Sequence, residues 1–567
     1  MIATPSPTPI PSSRSALASR PWHWASRLPL GAVSDGFFQL GTLIEAGVVG
    51  PIRPDRLARI AANYRRWGTS PAFGSAACAI HHPDETAIVD ELGELTFAET
   101  HERSNALARA LRNEGIDEGD GVAIMCRNHR LFIEATMACS KLGAVALYLN
   151  TAFAGPQLAD VLERESPAAL IYDQEFEDLL ADGARGLRRY VAWEEPGRSD
   201  DPTLEELIGS APRSELDPPG ENGRFVILTS GTTGTPKGAQ RDSPDGLGPL
   251  AALLSKIPLH SRDSIVIAAP LFHSWGFSHF VFSLALAETV VLRRRFDPED
   301  TLRAIEDNDA EGLAVVPVMM QRILALPEEV RARYDLPTLR VTAASGSALP
   351  GDLAVKWMDS FGENLYNLYG STEVAWATIA TPEDMRAAPG TAGRVPRGTV
   401  VRIVDPDGND LPPGETGRIF VGNDMVFEGY TGGGDKERLD GLLSSGDVGH
   451  FDEGGRLFID GRDDEMIVSG GENVFPREIE DVLAGHEAVD EAAAIGVPDE
   501  EFGQRLRAFV VLNEGAEASE EELKGHVKAH LARYKVPREI TFIEELPRNA
   551  TGKVLKRELA ESEVAEP

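Results

Sequence analysis

At 567 residues the chain exceeds what one hydrophobic core can serve and should divide into about three or four packing units. Ninety acidic side chains against 55 basic ones leave a net charge of −35, which repels nucleic-acid phosphates, excludes a general nucleic-acid binder and leaves any anionic ligand to locally placed cations. Apolar residues make up 42% and charged residues 26%, the balance of a globular chain in water, and no apolar run approaches the roughly 18 residues of a membrane span.

Residues 1–30 open on MIATPSPTPIPSSRSALASR, rich in Pro and Ser, and are expected to be disordered. They lack the basic start and apolar core of a secretion signal, which points to the cytoplasm. Cys78, Cys126 and Cys139 show no metal-ligand spacing and fit thiols kept reduced as small buried hydrophobes. Residues 31–80 read as a helical extension, in which LARIAANYRRWG sets arginines on one face. Such a helix either packs on the main domain with its arginines in water or lies on an anionic membrane surface.

From 81 to 463 a large domain is expected. Apolar strand-like runs (GVAIMC, GAVALYLN, SIVIAAP, TVVLRRRF) alternate with helical patterns, which predicts parallel sheets wrapped by helices, an α/β class. Asp297 and Pro298 mark a helix start as N-cap and first helical residue. Around 395 to 460 short strands separated by Gly and Pro turns suggest a small β-rich unit. Residues 464–567 form a small α+β unit, with Ile479, Val482 and Leu483 on one helical face and a capping box at Ser519 and Glu522.

Several short stretches carry chemistry. ILTSGTTGTPKGAQR, residues 227–241, follows a strand-like run. Its glycines allow close backbone approach, its Ser and Thr hydroxyls add donors and Lys237 adds a cation, as phosphate oxygens require. It is not a Walker loop, because Pro236 precedes Lys237 and Gly238 follows it; composition alone also allows a flexible linker. In YNLYGSTE, residues 366–373, an aromatic can stack on a base, a Gly lets the ring approach, a Thr offers a donor and a carboxylate can hold Mg²⁺. PLFHSWG (270–276) and ASGSALP (344–350) are weaker alone, since a lone His is more often structural and Gly-Ser more often a turn. The two carboxylate oxygens of Asp447 in SSGDVG suit paired hydroxyls, and Lys553 in PRNATGKVLKREL begins what could be an ordinary solvated basic cluster.

Taken in order, these stretches resemble the motifs of the adenylate-forming superfamily, which includes acyl-CoA synthetases, carrier-loading adenylation domains and beetle luciferases. The resemblance runs from about His81 to the end. It implies a phosphate loop at Thr229, Ser230, Gly231, Thr232, Thr233, Gly234 and Lys237, an adenine site at Gly346, Ser347, Tyr369 and Gly370, and ribose contacts at Asp447 and Arg462. It also implies catalytic roles for Thr372, His273 and Glu373, with Glu373 holding Mg²⁺, and for Lys553 bridging carboxylate and α-phosphate. Asp464 falls at the family's hinge, and Gly470, Gly471 and Glu472 match the loop lining the pantetheine tunnel. Leu442 and Ser445 stand where Trp and Thr are usual, and Val468 stands where a Lys is common that touches the acyl-adenylate in some aryl-CoA ligases, which weakens the case for an aryl substrate and costs the ligase assignment little.

The implied reaction makes acyl-AMP from a carboxylic acid and ATP, then passes the acyl group to coenzyme A with release of AMP. Gly417 to Asp447 is too compact for the insertion of carrier-loading ligases, which favours coenzyme A. Leu271, Phe272, Trp275 and Phe277 around His273 suggest a medium- to long-chain fatty acid. Alternatives are an aryl acid, a carrier protein as acceptor, or a nucleotide-binding regulator without catalysis. The expected substrates and cofactors are ATP, Mg²⁺ and coenzyme A; membrane contact through the N-terminal helices and a monomer or homodimer are further expectations.

Overall fold

The computed structural model describes residues 29–180, 183–184, 186–197, 199–229, 237–241, 246–427, 429–431, 435–463, 467–469, 472–499, 503–532, 535–549 and 552–561. The segment expected to be disordered thus lies, up to residue 28, outside the described residues. The helical extension is present as helices Pro29–Glu45, Pro54–Trp67 and Pro71–His81. Each opens on proline, whose fixed φ suits a first turn and whose missing N–H is not needed there. The second helix buries Asn63 and Trp67, and its Arg66 donates to the Glu215 carboxylate and to Leu216 O, so it is packed on the main body.

Two sheets build the large domain. In the first, strands Thr289–Val291, Ser264–Ile267, Gly312–Val315, Val341–Ala344 and Leu365–Tyr369 run parallel to Thr86–Asp90, with antiparallel edges Gly93–Thr96 and Thr378–Ala380. In the second, Arg188–Val191, Ala169–Tyr172, Gly121–Met125, Val145–Tyr148 and Phe225–Thr229 are parallel, and the sheet ends on antiparallel Lys237–Arg241 and Gly429–Tyr430. These are the apolar runs of the sequence, continuous rather than alternating because helices cover both faces.

One core joins the two sheets. It takes Ile88, Ile265 and Ile267 from the first, Ile124, Ala146 and Tyr148 from the second, and Phe132, Phe277 and Phe280 from the helices between them. Phe132 stacks on Tyr148 at 5.1 Å and Tyr148 meets Phe277 at 5.0 Å. The β-rich unit is an antiparallel sheet of Val400–Val404, Gly417–Gly422, Leu442–Phe451, Arg438–Leu439 and Leu457–Arg462. The C-terminal unit has its own core, in which Ile479, Leu483, Leu523 and Val527 pack on strands Val489–Asp499 and Gly503–Leu512. Its helix Glu520–His530 starts with the capping box expected of Ser519 and Glu522, and helix Pro298–Asp307 is capped by Asp297. Among the described residues no helix is long and apolar enough to cross a membrane.

Candidate active site

The YNLYGSTE stretch supplies the platform. Strand Leu365–Tyr369 ends at the mouth of the first sheet, and the chain reverses so sharply that a Cβ on Gly370 would lie 1.9 Å from Ala375 O. Ala375 itself takes a left-handed φ of +62°, a strained setting of the kind that clusters at functional turns. The turn sends Glu373 inward, where it is 8% exposed. Tyr430 donates its hydroxyl to Glu373 Oε1 at 2.9 Å, and Glu373 O accepts from Phe427 N. Burial, and then the Glu373 charge, push the Tyr430 phenol up, so it stays protonated as that donor.

Asp447 and Arg462 face each other across paired strands, in register and joined at 3.2 Å between Arg462 Nη1 and Asp447 Oδ1. Tyr369 donates its hydroxyl to Asp447 Oδ2 at 2.6 Å, and burial followed by the Asp447 charge raises the tyrosine pKa well above its ordinary value. The sequence departures on this strand are accommodated locally. Leu442 packs beside Val404 and Phe420, and the buried Ser445 accepts from Asp447 N at 3.1 Å through its hydroxyl.

Gly346, at φ +94°, follows strand Val341–Ala344, and a Cβ there would stand 3.3 Å from Val316. Two residues on, Val318 meets the C-terminal unit: a Cβ on Gly552, whose φ is +78°, would fall 2.4 Å from Val318 Cγ1. One segment, 316–318, therefore touches both the expected adenine loop and the loop carrying Lys553. Lys553 is exposed, and its loop is closed by Asn549, whose Oδ1 accepts from Lys553 N at 2.9 Å.

The strands that flank the phosphate-loop stretch, Phe225–Thr229 and Lys237–Arg241, pair antiparallel. Thr229 and Lys237 are partners in that pairing; Ser230, Gly231, Thr232, Thr233 and Gly234 lie outside the described residues. The pair is pinned beyond Lys237 by Gly238, whose Cβ position is taken by Val226 and Thr431, and by Gly429–Tyr430 pairing with Ala239 and Gln240. Gly470, Gly471 and the hinge candidate Asp464 also lie outside the described residues, while Glu472 opens strand Glu472–Val474.

His273 stands at the N-cap position of helix Ser274–Leu286 without a capping bond from its side chain; its Nε2 is buried with no partner, and burial lowers its pKa to about 4, so the ring is neutral at pH 7. The four apolar neighbours are committed elsewhere, which corrects their reading as an acyl wall. Leu271, Phe272 and Phe277 belong to the core between the sheets, Phe277 against Tyr148, Phe225 and Phe280; Trp275 donates its indole N–H to Val315 O. Nothing local in the sequence marks Tyr430, Val316 or Val318, because their contacts lie 57 residues away at Glu373, 30 away at Gly346 and in the small domain at Gly552.

One cluster outside this area resembles a metal site in composition: Cys126, His129 and Asp173 are buried with ligand atoms within 4.8 Å. Its groups are engaged with one another and the backbone. His129 Nε2 donates to Asp173 Oδ1 at 2.8 Å, Asp173 Oδ2 accepts from Arg127 N, and His129 Nδ1 accepts from Leu131 N. It reads as packing.

A large α/β domain with mixed sheets and a small α+β domain that meets it where Gly552 faces Val318 are the architecture of a two-domain adenylate-forming enzyme. The description "AMP-binding enzyme" fits residues 76–431, and "AMP-binding enzyme C-terminal domain" fits residues 478–553. A feruloyl-CoA synthase of Amycolatopsis sp. is 34% identical over 482 residues, 84% of this chain and 96% of the relative. A fatty acid–[acyl-carrier-protein] ligase of Streptomyces coeruleorubidus is 31% identical over 504 residues, 85% of this chain and 94% of its own. The o-succinylbenzoate CoA synthetase of Bacillus subtilis, solved with its acyl-adenylate intermediate, superposes with a TM-score of 0.75 at 28% identity, over 86% of this chain and 97% of that one. The chain belongs to the AMP-binding enzyme family, and it is an acid–thiol ligase of the AMP-forming type.

Proposed function

We propose that the protein activates an aromatic carboxylic acid with ATP and transfers the acyl group to coenzyme A, with Glu373 and Lys553 as its chief catalytic charges. The observation that carries this reading is the hydrogen-bonded group of Tyr369, Asp447 and Arg462, together with the Lys553 loop meeting the large domain where Gly552 faces Val318. The acid is taken as aromatic because the feruloyl and succinylbenzoyl relatives handle such acids, and because the four residues that suggested a fatty chain are committed to packing. The carrier-protein ligase relative keeps a fatty acid as the second reading.

A carboxylate resists thiol attack because its charge is delocalised and its leaving group would be oxide. Attack of the carboxylate on the α-phosphorus breaks the bond to pyrophosphate and forms a mixed anhydride, from which AMP leaves when the thiol attacks. Catalysis of this kind is chiefly positioning and charge neutralisation. Asp447 and Arg462 hold the ribose hydroxyls, the ring of Tyr369 lies by the adenine with Gly346 and Ser347, and the stretch from Thr229 to Lys237 cradles the phosphates. Thr372 adds a hydroxyl donor to a phosphate oxygen, and neutral His273 offers its unpartnered Nε2 to the reacting acid. Lys553 neutralises oxygens of both reactants. A buried carboxylate held by one tyrosine hydroxyl is a hard anionic donor that fits Mg²⁺, and Glu373 would hold that ion, which supplies positive charge to the phosphates. Asp464 as hinge and Gly470, Gly471 and Glu472 as the pantetheine side complete the reading.

The test is pyrophosphate release over a panel of aryl and aliphatic acids, with and without coenzyme A. Aryl acids should lead the panel and thioester should form only with coenzyme A; a panel led by long-chain acids would replace the aromatic reading with the fatty one.

A further inference from the structure

Nine large apolar side chains stand exposed among the described residues, and six of them, Phe37, Leu40, Ile44, Val49, Leu57 and Tyr64, fall between 37 and 64. Phe37 is 72% exposed and Ile44 54%. On helix Pro29–Glu45, Phe37, Leu40 and Ile44 recur at spacings of three and four, so they share one face, while Leu43 on another face packs on Leu250 and Leu254 of the main body. The sequence continues the spacing back to Val33 and Leu30. A concentration of this kind on a protein surface marks a contact site.

Charge says which contact. Residues 1–80 hold eight arginines, no lysine and three acidic residues, a net charge of +5 in a chain whose total is −35. Of the acids, Asp35 is paired with Arg397 and Asp55 with Arg53. Arg59 and Arg65 stand exposed on helix Pro54–Trp67 together with Leu57 and Tyr64. We propose that the two N-terminal helices dock the enzyme on the surface of an anionic lipid bilayer, with Phe37, Leu40 and Ile44 entering the headgroup boundary and the arginines meeting lipid phosphates. Helix Pro29–Glu45 supplies the apolar side chains and no basic one, and helix Pro54–Trp67 supplies the exposed arginines; an anionic surface retains apolar and basic side chains together. A second copy of the chain fits less well. A helix-to-helix seam would cover 37, 40 and 44 and leave Val49, Leu57 and Tyr64 in water.

The experiment is co-sedimentation of the full chain with phosphatidylcholine vesicles, with and without phosphatidylglycerol, alongside size-exclusion with light scattering. Binding is expected to the anionic vesicles and to fall with salt. Phe37→Glu with Ile44→Glu should abolish it, and Arg59→Glu with Arg65→Glu should weaken it by about tenfold or more. All four sites are solvent-exposed, so turnover of a water-soluble acid without vesicles should match the parent and report that the variants fold. Equal binding to neutral vesicles, parental binding by the variants, or no vesicle binding with a dimer that Phe37→Glu dissociates would each overturn the proposal, the last in favour of a second copy.

Discussion

Gly552→Ala tests whether the arrangement seen here is the adenylating one. Two costs can be read from the structure. An L-residue at φ +78° pays for the left-handed backbone, about 1 kcal/mol. The new Cβ would also sit 2.4 Å from Val318 Cγ1 and 3.0 Å from its Cβ, an overlap that rotating one methyl does not relieve and that forces the loop away for about 2 kcal/mol. Of these, the steric share, about 2 kcal/mol, acts only on the state in which the Lys553 loop rests on the large domain, so formation of acyl-AMP from acid and ATP should slow about thirtyfold. Thioester formation from supplied acyl-AMP and coenzyme A should stay near the parental rate. Adding Val318→Ala removes the nearer carbon and should restore about tenfold or more of that loss. Both half-reactions are followed separately by pyrophosphate release and by thioester absorbance. Parental adenylation by Gly552→Ala, or no rescue by Val318→Ala, would refute the contact as part of the working arrangement.

Lys553→Ala should abolish adenylation yet process supplied acyl-AMP at near parental rate, since in the proposed reading the lysine acts in the transition state of the first step alone; failure in both steps by a folded variant would contradict domain alternation. Glu373→Gln keeps the acceptor that Tyr430 uses and removes the charge, so pyrophosphate release should fall about a hundredfold or more; turnover within a few-fold would take Glu373 out of the site. Glu288 bears on stability. Its carboxyl is buried, Oε1 lacks a partner beside a cavity of about 20 Å³, and burial raises its pKa from 4.5 to about 8. Below pH 4.5 both folded and unfolded chains carry the proton; from there to about pH 8 only the unfolded chain releases it, so stability declines with rising pH across that window. Glu288→Gln should remove that decline, its gain in urea unfolding being small at pH 5 and about 3 kcal/mol at pH 7; a gain independent of pH would contradict the assignment.

How far the site was legible depended on how local its determinants are. Asp447 and Arg462 were found as motif residues 15 positions apart, and one antiparallel turn suffices to bring them face to face. The parallel sheets followed from continuous apolar runs, since helices on both faces leave no polar alternation. Tyr430 was missed because nothing in a Gly-rich strand end says that its hydroxyl reaches Glu373, 57 residues earlier. Val318 was missed because its role exists only when a second domain rests on it. Leu271, Phe272, Trp275 and Phe277 were misread for a related reason. A short apolar stretch next to a histidine has the same composition whether it walls a ligand or fills a core, and only neighbours distant in sequence, Tyr148, Phe225 and Val315, decide between them.

The pairing of Asp447 with Arg462 also bears on the proposed hinge. Strand Leu457–Arg462 is laced into its sheet up to its last residue, and Arg418 holds the next one, Asp463, at 2.9 Å. In the proposed reading, a turn of the small domain about the residues just beyond has its fulcrum beside the sugar of the nucleotide. Points on a rotating body move in proportion to their distance from the axis, so the tip at Gly552 sweeps a long arc while a ribose gripped at the pivot scarcely shifts. Such a layout lets one domain exchange two faces over a single bound adenylate without loosening the grip on it.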